Sequence, residues 1–231
     1  GRVEQVRTTN HTSLTGINWT RQSPSSPITE WLRGVAYGNG VFVIAGDGGF
    51  IGRSPNGIEW TRVRKGGPNL NRVFFFSNRF TVVGEGGCSL FSTNSGLSWS
   101  TNQCGASNDL FQASSDSTAR LLVGDREVWL DQGGVWSNEL AKSNGPPAWI
   151  YYANLGRPDF FLIGGQTGLM AEGYRTNNSR YLWAQSDNSF RHWLFDMIYA
   201  TNLYVAVGDR ATVMTSGNGL DWKLELVPDS V

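Results

Sequence analysis

An all-β fold made of five copies of one forty-residue unit is what this sequence predicts, and three observations predict it. A stretch of sixteen residues, WLRGVAYGNGVFVIAG from Trp31 to Gly46, aligns without a gap to WLFDMIYATNLYVAVG from Trp193 to Gly208. Each copy then runs through a polar turn into a tryptophan, and the successive intervals from Trp19 through Trp60, Trp99, Trp136 and Trp183 to Trp222 are 41, 39, 37, 47 and 39 residues. Glycine accounts for 29 of 231 residues, well above ordinary usage, and no long helical pattern interrupts the short apolar runs. A fixed period of this length is the signature of a repeat architecture.

The copies run in order along the chain. The first covers about 31–65. NRVFFFSNRFTVVGEGG, Asn71 to Gly87, opens the second, about 69–104; NDLFQASSDSTARLLVGD, Asn108 to Asp125, the third, about 108–142. WIYYANLGRPDFFLIGG, Trp149 to Gly165, begins the fourth at about 148–188, and the fifth occupies about 192–228. An isolated ending, TSLTGINW, precedes them all and predicts an N-terminal strand at about 13–22. Within a copy the apolar runs are four to six residues long, rich in Val, Ile and Phe, and bounded by Gly, Asn or Asp. That pattern reads as four strands joined by hairpins. In the first copy they fall at roughly 32–37, 41–46, 50–54 and 58–63, with turns at GNG, GDGG and SPNG. A four-stranded meander of forty residues cannot bury both faces alone, so the copies stack. Radial stacking gives a single domain over 1–231, a five-bladed β-propeller of four-stranded antiparallel blades with the N-terminal strand as an extra or closing strand.

The turn S-x-N-x-G-x-x-W, Ser92 to Trp99, with one-residue-shorter versions at Ser54 to Trp60 and Ser216 to Trp222, resembles the Asp-box of BNR-type propellers, as in sialidases and photosystem II assembly-factor-like proteins. The resemblance covers about 31–222, with Asn where the box prefers Asp. It implies that the hydroxyl and the Asx side chain bond local backbone and that the box tryptophans, Trp19 included, pack between neighbouring blades. It does not fix a function, since propellers host unrelated activities.

Composition narrows the classes. Nineteen basic residues balance nineteen acidic ones with no block of like charge, which argues against a nucleic-acid partner. No run of eighteen apolar residues exists, so no membrane span is predicted, and GRVEQVRTTN has no apolar core of a signal peptide. Cys88 and Cys104 lie equidistant from Gly96, the glycine of the second copy's outer turn. A hairpin centred there sets them opposite each other and predicts a disulfide, which in turn argues for an extracellular or periplasmic setting in a bacterial source.

Strand directions alternate, so the turn after the second strand and the linker entering the first fall on one face of the ring. Entry positions hold Trp31, Asn69, Asp109, Trp149 and Trp193; second-turn positions hold Asp47, Glu85, Asp125, Gln166 and Asp209. Aromatics and carboxylates therefore converge on one mouth, with Tyr151 and Tyr152 beside Trp149. Such platforms with nearby acids suit sugar rings, and Trp31, Trp149, Trp193, Tyr151, Tyr152, Asp47, Asp125 and Asp209 form the predicted ligand-binding set. The same acids serve equally as turn formers, and the same tryptophans as packing over strand ends. Two isolated histidines, no nucleophile elbow, no phosphate loop and no zinc spacing leave no metal or cofactor signature. The expectation is a non-catalytic module, monomeric or part of a larger chain, that binds polysaccharide. The alternative is a protein-interaction scaffold. Glycoside hydrolysis by facing carboxylates is a minor reading.

Overall fold

The computed structural model describes residues 28–116, 118–142, 152–157, 160–177, 180–185 and 191–225. The N-terminal strand predicted at 13–22, with Trp19, lies outside them, as do Trp149 and Tyr151.

Five four-stranded antiparallel sheets follow one another along the chain, each a meander in sequence order. The first comprises β1 (Leu32–Gly38), β2 (Val41–Gly46), β3 (Phe50–Ser54) and β4 (Thr61–Arg64). The second comprises β5 (Leu70–Phe76), β6 (Arg79–Gly84), β7 (Ser89–Ser92) and β8 (Ser100–Thr101). The third is β9 (Leu110–Ser115), β10 (Ala119–Gly124), β11 (Glu127–Gln132) and β12 (Val135–Asn138). In the fourth stand β13 (Tyr152–Arg157), β14 (Phe160–Gly164), β15 (Met170–Arg175) and β16 (Tyr181–Gln185). β17 (Leu194–Ala200), β18 (Leu203–Gly208), β19 (Val213–Ser216) and β20 (Lys223–Glu225) make the fifth. These boundaries match the periodicity of the sequence, because strands buried on both faces must read as short apolar runs ended by turn residues.

Each pair of consecutive sheets encloses its own core. Val41, Val43, Ile51, Leu70, Val82 and Leu90 fill the first boundary; Val83, Leu110, Ala113 and Leu122 the second. Leu121, Leu130, Phe161 and Ile163 fill the third; Leu162, Leu194, Met197 and Tyr204 the fourth. Four of the turn tryptophans belong to these cores as the sequence predicts: Trp99, Trp136, Trp183 and Trp222 pack against one boundary each, whereas Trp60, half-buried on the first sheet, belongs to none of these four cores. Polar locks reinforce the third boundary. Glu139, fully buried, accepts from Ser137 Oγ at 2.8 Å and from Trp183 Nε1 at 3.1 Å, and pairs with Lys142. Asp116 accepts the Tyr181 hydroxyl, and burial pushes that phenol well above its usual range.

The S-x-N turns do what their sequence requires. In the first sheet Ser54 Oγ accepts from Gly57 N at 2.8 Å, Asn56 Oδ1 accepts from Ile58 N and Glu59 N at 2.9 Å each, and Trp60 Nε1 donates to Gly57 O. Ser216, Asn218, Gly219 and Trp222 repeat the pattern, and Ser92, Asn94, Gly96 and Trp99 form its longer version.

The predicted disulfide is not formed: Cys88 and Cys104 are free thiols. The pairing of β7 with β8 sets Leu90 against Thr101 and Phe91 against Ser100, which aligns Cys88 with Gln103, not Cys104. One residue of register moves a side chain to the other face of its sheet. Cys88 packs against the core between the first and second sheets, and Cys104 is buried in the core between the second and third. Burial raises both thiol pKa values. The argument for an oxidising compartment, which rested on that bond, no longer applies.

Candidate functional site

The entry linker and the second turn share a face in the structure, and a repeated backbone bracket holds them together. Asp47 N donates to Trp31 O at 2.9 Å, Glu85 N to Asn69 O at 2.9 Å, Asp125 N to Asp109 O at 2.7 Å and Asp209 N to Trp193 O at 3.0 Å. The approach is close enough that only glycine fits before each acid. A Cβ on Gly46, Gly84, Gly124 or Gly208 would sit 2.0, 2.2, 2.1 or 1.9 Å from the same carbonyl oxygens. The turn then passes through the left-handed region at Gly48, with φ of 63°, and Gly86, with φ of 60°. Side chains of the next sheet cap the exposed amides: Asn69 Oδ1 accepts from Gly48 N at 2.8 Å and Asp109 Oδ1 from Gly86 N at 2.9 Å. The residue types at entry positions thus stitch neighbouring sheets.

Side chains converge on the axis from several sheets. Arg33, on β1, pairs through Nε with Asp47 Oδ1 at 2.6 Å and through Nη1 with Glu85 Oε1 at 3.5 Å, and it donates to Asn71 Oδ1 at 3.0 Å. Asn69 Nδ2 holds both oxygens of Glu85 at 3.0 Å. Deeper in, Asp196 of β17 pairs with Arg72 of β5 at 3.2 Å and accepts from Gln112 of β9 at 3.0 Å. The second, third and fifth sheets therefore meet at one centre. Asp209 accepts from Trp193 N at 2.9 Å and stands 3.4 Å from His192 Nδ1, while Asp125 faces Arg126 at 3.4 Å. Beside the mouth, Glu30 is bonded by Lys65 Nζ at 2.8 Å, and that hydrogen bond holds its carboxyl down at about 2.

Of the predicted ligand set, Asp47, Asp125 and Asp209 are half-buried in these turns. Trp31 is 79% exposed and Trp193 38%. Tyr152 opens β13. The sequence reading missed Arg33, Asn71, Arg72, Gln112 and Asp196. A signal was available: the third residue after the entry position is Gly34, Arg72, Gln112, Tyr152 and Asp196 in successive copies, none of them aliphatic in otherwise apolar strands. A strand whose side chain meets other strands at an axis needs polar or small groups there.

A separate cleft of about 440 Å³ lies on the opposite face, between the second and third sheets, where the hairpin turns at Ser77, Ser115 and Gly133 come together with Arg79 and Arg120. Arg120 is ion-paired with Asp131, and Arg79 donates to Asn102 and stacks over Phe91 at 3.7 Å. Among the described residues no group of three or more His, Cys, Asp and Glu is placed to hold a metal ion. Among the described residues no helix is long and apolar enough to cross a membrane.

No family model matches this chain, and no curated protein matches it. Solved structures do. YCF48 from Cyanidioschyzon merolae superposes with a TM-score of 0.61 at 14% identity, over 85% of this chain and 72% of that one. YCF48 bound to D1 peptide gives 0.64 at 14% identity, over 85% and 67%. The WD40 β-propeller domain of Doa1 gives 0.67 at 14% identity, over 86% and 69%. The fold is that of the β-propellers. At this identity the likeness speaks for fold alone.

Proposed function

We propose that this chain is a polypeptide-binding β-propeller whose mouth, built from Trp31, Arg33, Arg72, Asp196 and the second turns, receives an extended segment of a partner protein. The five sheets are read as five blades of one domain, with the S-x-N turns as Asp-box-type blade corners and the N-terminal strand as part of ring closure. The observation that carries the function is the combination at one mouth of a mostly exposed indole, Trp31, with Arg–carboxylate pairs. Aromatic and Arg anchors ringed by polar groups are the composition of protein-binding hot spots. A neighbour of the same fold is described as bound to a peptide, which supports the polypeptide reading.

Polysaccharide, the first expectation from sequence, needs an aromatic platform. Of that platform Trp149 and Tyr151 lie outside the described residues; the described residues that converge include Arg–carboxylate pairs, which suit backbone amides and charged side chains of a peptide. Selection from a displayed peptide library, run beside a glycan array on the same protein, separates the two. The expected result is a set of enriched peptides whose affinity falls at least tenfold, about 1.4 kcal/mol, for Trp31→Ala or Arg72→Ala. Specific glycan binding with no enriched peptide overturns the proposal.

A further inference from the structure

The boundary between the second and third sheets departs from the other three at one end. The second strands open on Val41, Arg79, Ala119, Phe160 and Leu203 in successive sheets and continue with Phe42, Phe80, Arg120, Phe161 and Tyr204. Across three boundaries the opening residue of one sheet and the second residue of the next belong to the same apolar core: Val41 with Phe80, Ala119 with Phe161, and Phe160 with Tyr204. Between the second and third sheets that place is taken by Arg79 and Arg120. Alternation along a strand puts Arg79 on the side of Val83 and Arg120 on the side of Leu122, and both of those belong to the core of this boundary. Two guanidinium side chains therefore stand where the repeat sets two apolar ones, and both line the cleft of about 440 Å³.

Like charges on facing strands cost free energy unless each meets an anion. Arg120 meets one: it pairs with Asp131, a buried carboxylate that also accepts from Gly134 N at 2.8 Å. Asp116, the other carboxylate of the cleft, is buried and held by the Tyr181 hydroxyl and by the amides of Thr118 and Ala119, at 2.6 Å each. Arg79 has no carboxylate partner among the described residues. Its Nη2 donates to Asn102 Oδ1 at 2.6 Å and its plane lies over Phe91, but Nε is buried without an acceptor and nothing described accepts from Nη1. Thr81 Oγ1, next on the same side of β6, is also buried without a partner. At the rim Ser77 Oγ meets only Ser115 Oγ, at 3.2 Å, and the exposed Thr93 makes no side-chain hydrogen bond among the described residues.

We propose that this cleft binds a small organic anion, with a carboxylate or phosphoryl group set against Arg79 and hydroxyl groups against Ser77 and Thr93. An acceptor-only oxyanion supplies what a guanidinium with unused N–H groups lacks, and the charge-assisted bonds it forms are the strong ones. Neither carboxylate of the cleft takes that role, since Asp131 is engaged by Arg120 and Asp116 by Tyr181 and two backbone amides. Stability alone favours the apolar pair found at the other boundaries, because well-packed hydrophobic residues replace buried charge at no loss. A space of about 440 Å³ is too large for a bare ion and falls within the range of small-molecule pockets. The cleft lies on the face opposite the mouth and uses none of its residues, so this proposal stands or falls separately from the polypeptide reading.

The test is calorimetric titration of the full chain at low ionic strength with gluconate and with glycerol 3-phosphate, each beside its neutral counterpart, sorbitol or glycerol. At least one anion is expected to bind at a single saturable site, about tenfold or more tightly than its neutral counterpart, and the anion that does so tells carboxylate from phosphoryl. Arg79→Gln is expected to remove that margin, whereas Lys223→Gln, which deletes an exposed charge on the fifth sheet, keeps it. Arg79→Leu restores the apolar residue type of the other four sheets and is expected to lose the margin as well, which keeps the test valid should the glutamine variant fold poorly. The proposal is overturned if neither anion exceeds its neutral counterpart, or if the margin survives in both Arg79 variants. Loss of the margin in Lys223→Gln overturns it too, since bulk charge would then be the cause, as does inorganic phosphate binding as tightly as either organic anion.

Discussion

Replacing Gly84 by alanine tests whether the bracket between entry linker and second turn really shapes the mouth. The new Cβ would lie 2.2 Å from Asn69 O and 3.0 Å from Leu70 Cα. Methyl groups do not approach carbonyl oxygens closer than about 3 Å, so backbone on one side must retreat by close to 1 Å in a position that is buried. Overpacking of this kind costs about 1–3 kcal/mol. The same retreat pulls apart the hydrogen bond from Glu85 N to Asn69 O, now 2.9 Å, which adds about 1 kcal/mol. A loss of about 2–4 kcal/mol is therefore expected for Gly84→Ala, and likewise for Gly208→Ala, whose Cβ would stand 1.9 Å from Trp193 O. Gly217→Ala is the control, since nothing lies within 4 Å of its Cβ; it should fall within about 0.5 kcal/mol of the parent. Urea denaturation read by Trp fluorescence gives the midpoints, with unchanged slopes confirming that the native state alone is perturbed. Equal midpoints for Gly84→Ala and Gly217→Ala would refute the bracket.

Glu139→Ala removes a fully buried carboxylate and leaves Trp183 Nε1 and Lys142 without their acceptor, so it should cost about 3–5 kcal/mol, with Glu139→Gln milder; calorimetric melting measures both. Alkylation followed by intact mass should find two free thiols in the unreduced, unfolded protein and slow labelling of Cys104 in the folded one, whereas a mass unchanged by alkylation would restore the disulfide. Glu30, held at about 2 by Lys65, has a folded pKa below its unfolded value near 4.3. Its contribution to stability is therefore present above that unfolded value and is lost as pH falls toward 2. Glu30→Gln should lower the melting temperature at pH 7 and flatten its dependence below pH 5, and parallel acid limbs for the two proteins would exclude the effect.

Much of the architecture was legible because the repeat makes the same physical demand five times. Strand runs, turn glycines and box tryptophans recur wherever a sheet must bury both faces, so aligning Trp31–Gly46 with Trp193–Gly208 was enough to locate the sheets and the face that carries the mouth. Residues that differ between copies were harder to read. Arg72, Gln112 and Asp196 come from the second, third and fifth copies and meet only because the array curls; nothing local in any one strand announces the other two. The cysteines failed for a smaller reason. A hairpin centre inferred from Gly96 was half a residue from the observed register, and that offset sends Cys88 and Cys104 into different cores. Exposure of Trp31 was anticipated as a property of the mouth, and its side chain is 79% exposed.

The central claim, that the mouth receives a polypeptide, is tested most directly by mapping where a selected peptide touches the isotopically labelled protein by solution NMR. The account predicts that peptide titration shifts the indole N–H of Trp31 and the guanidinium N–H signals of Arg33 and Arg72, and that Arg72→Ala abolishes those shifts while the rest of the spectrum stays native. Shifts gathered instead around Arg79 and Arg120, in the cleft on the opposite face, with the Trp31 indole unmoved, would contradict it.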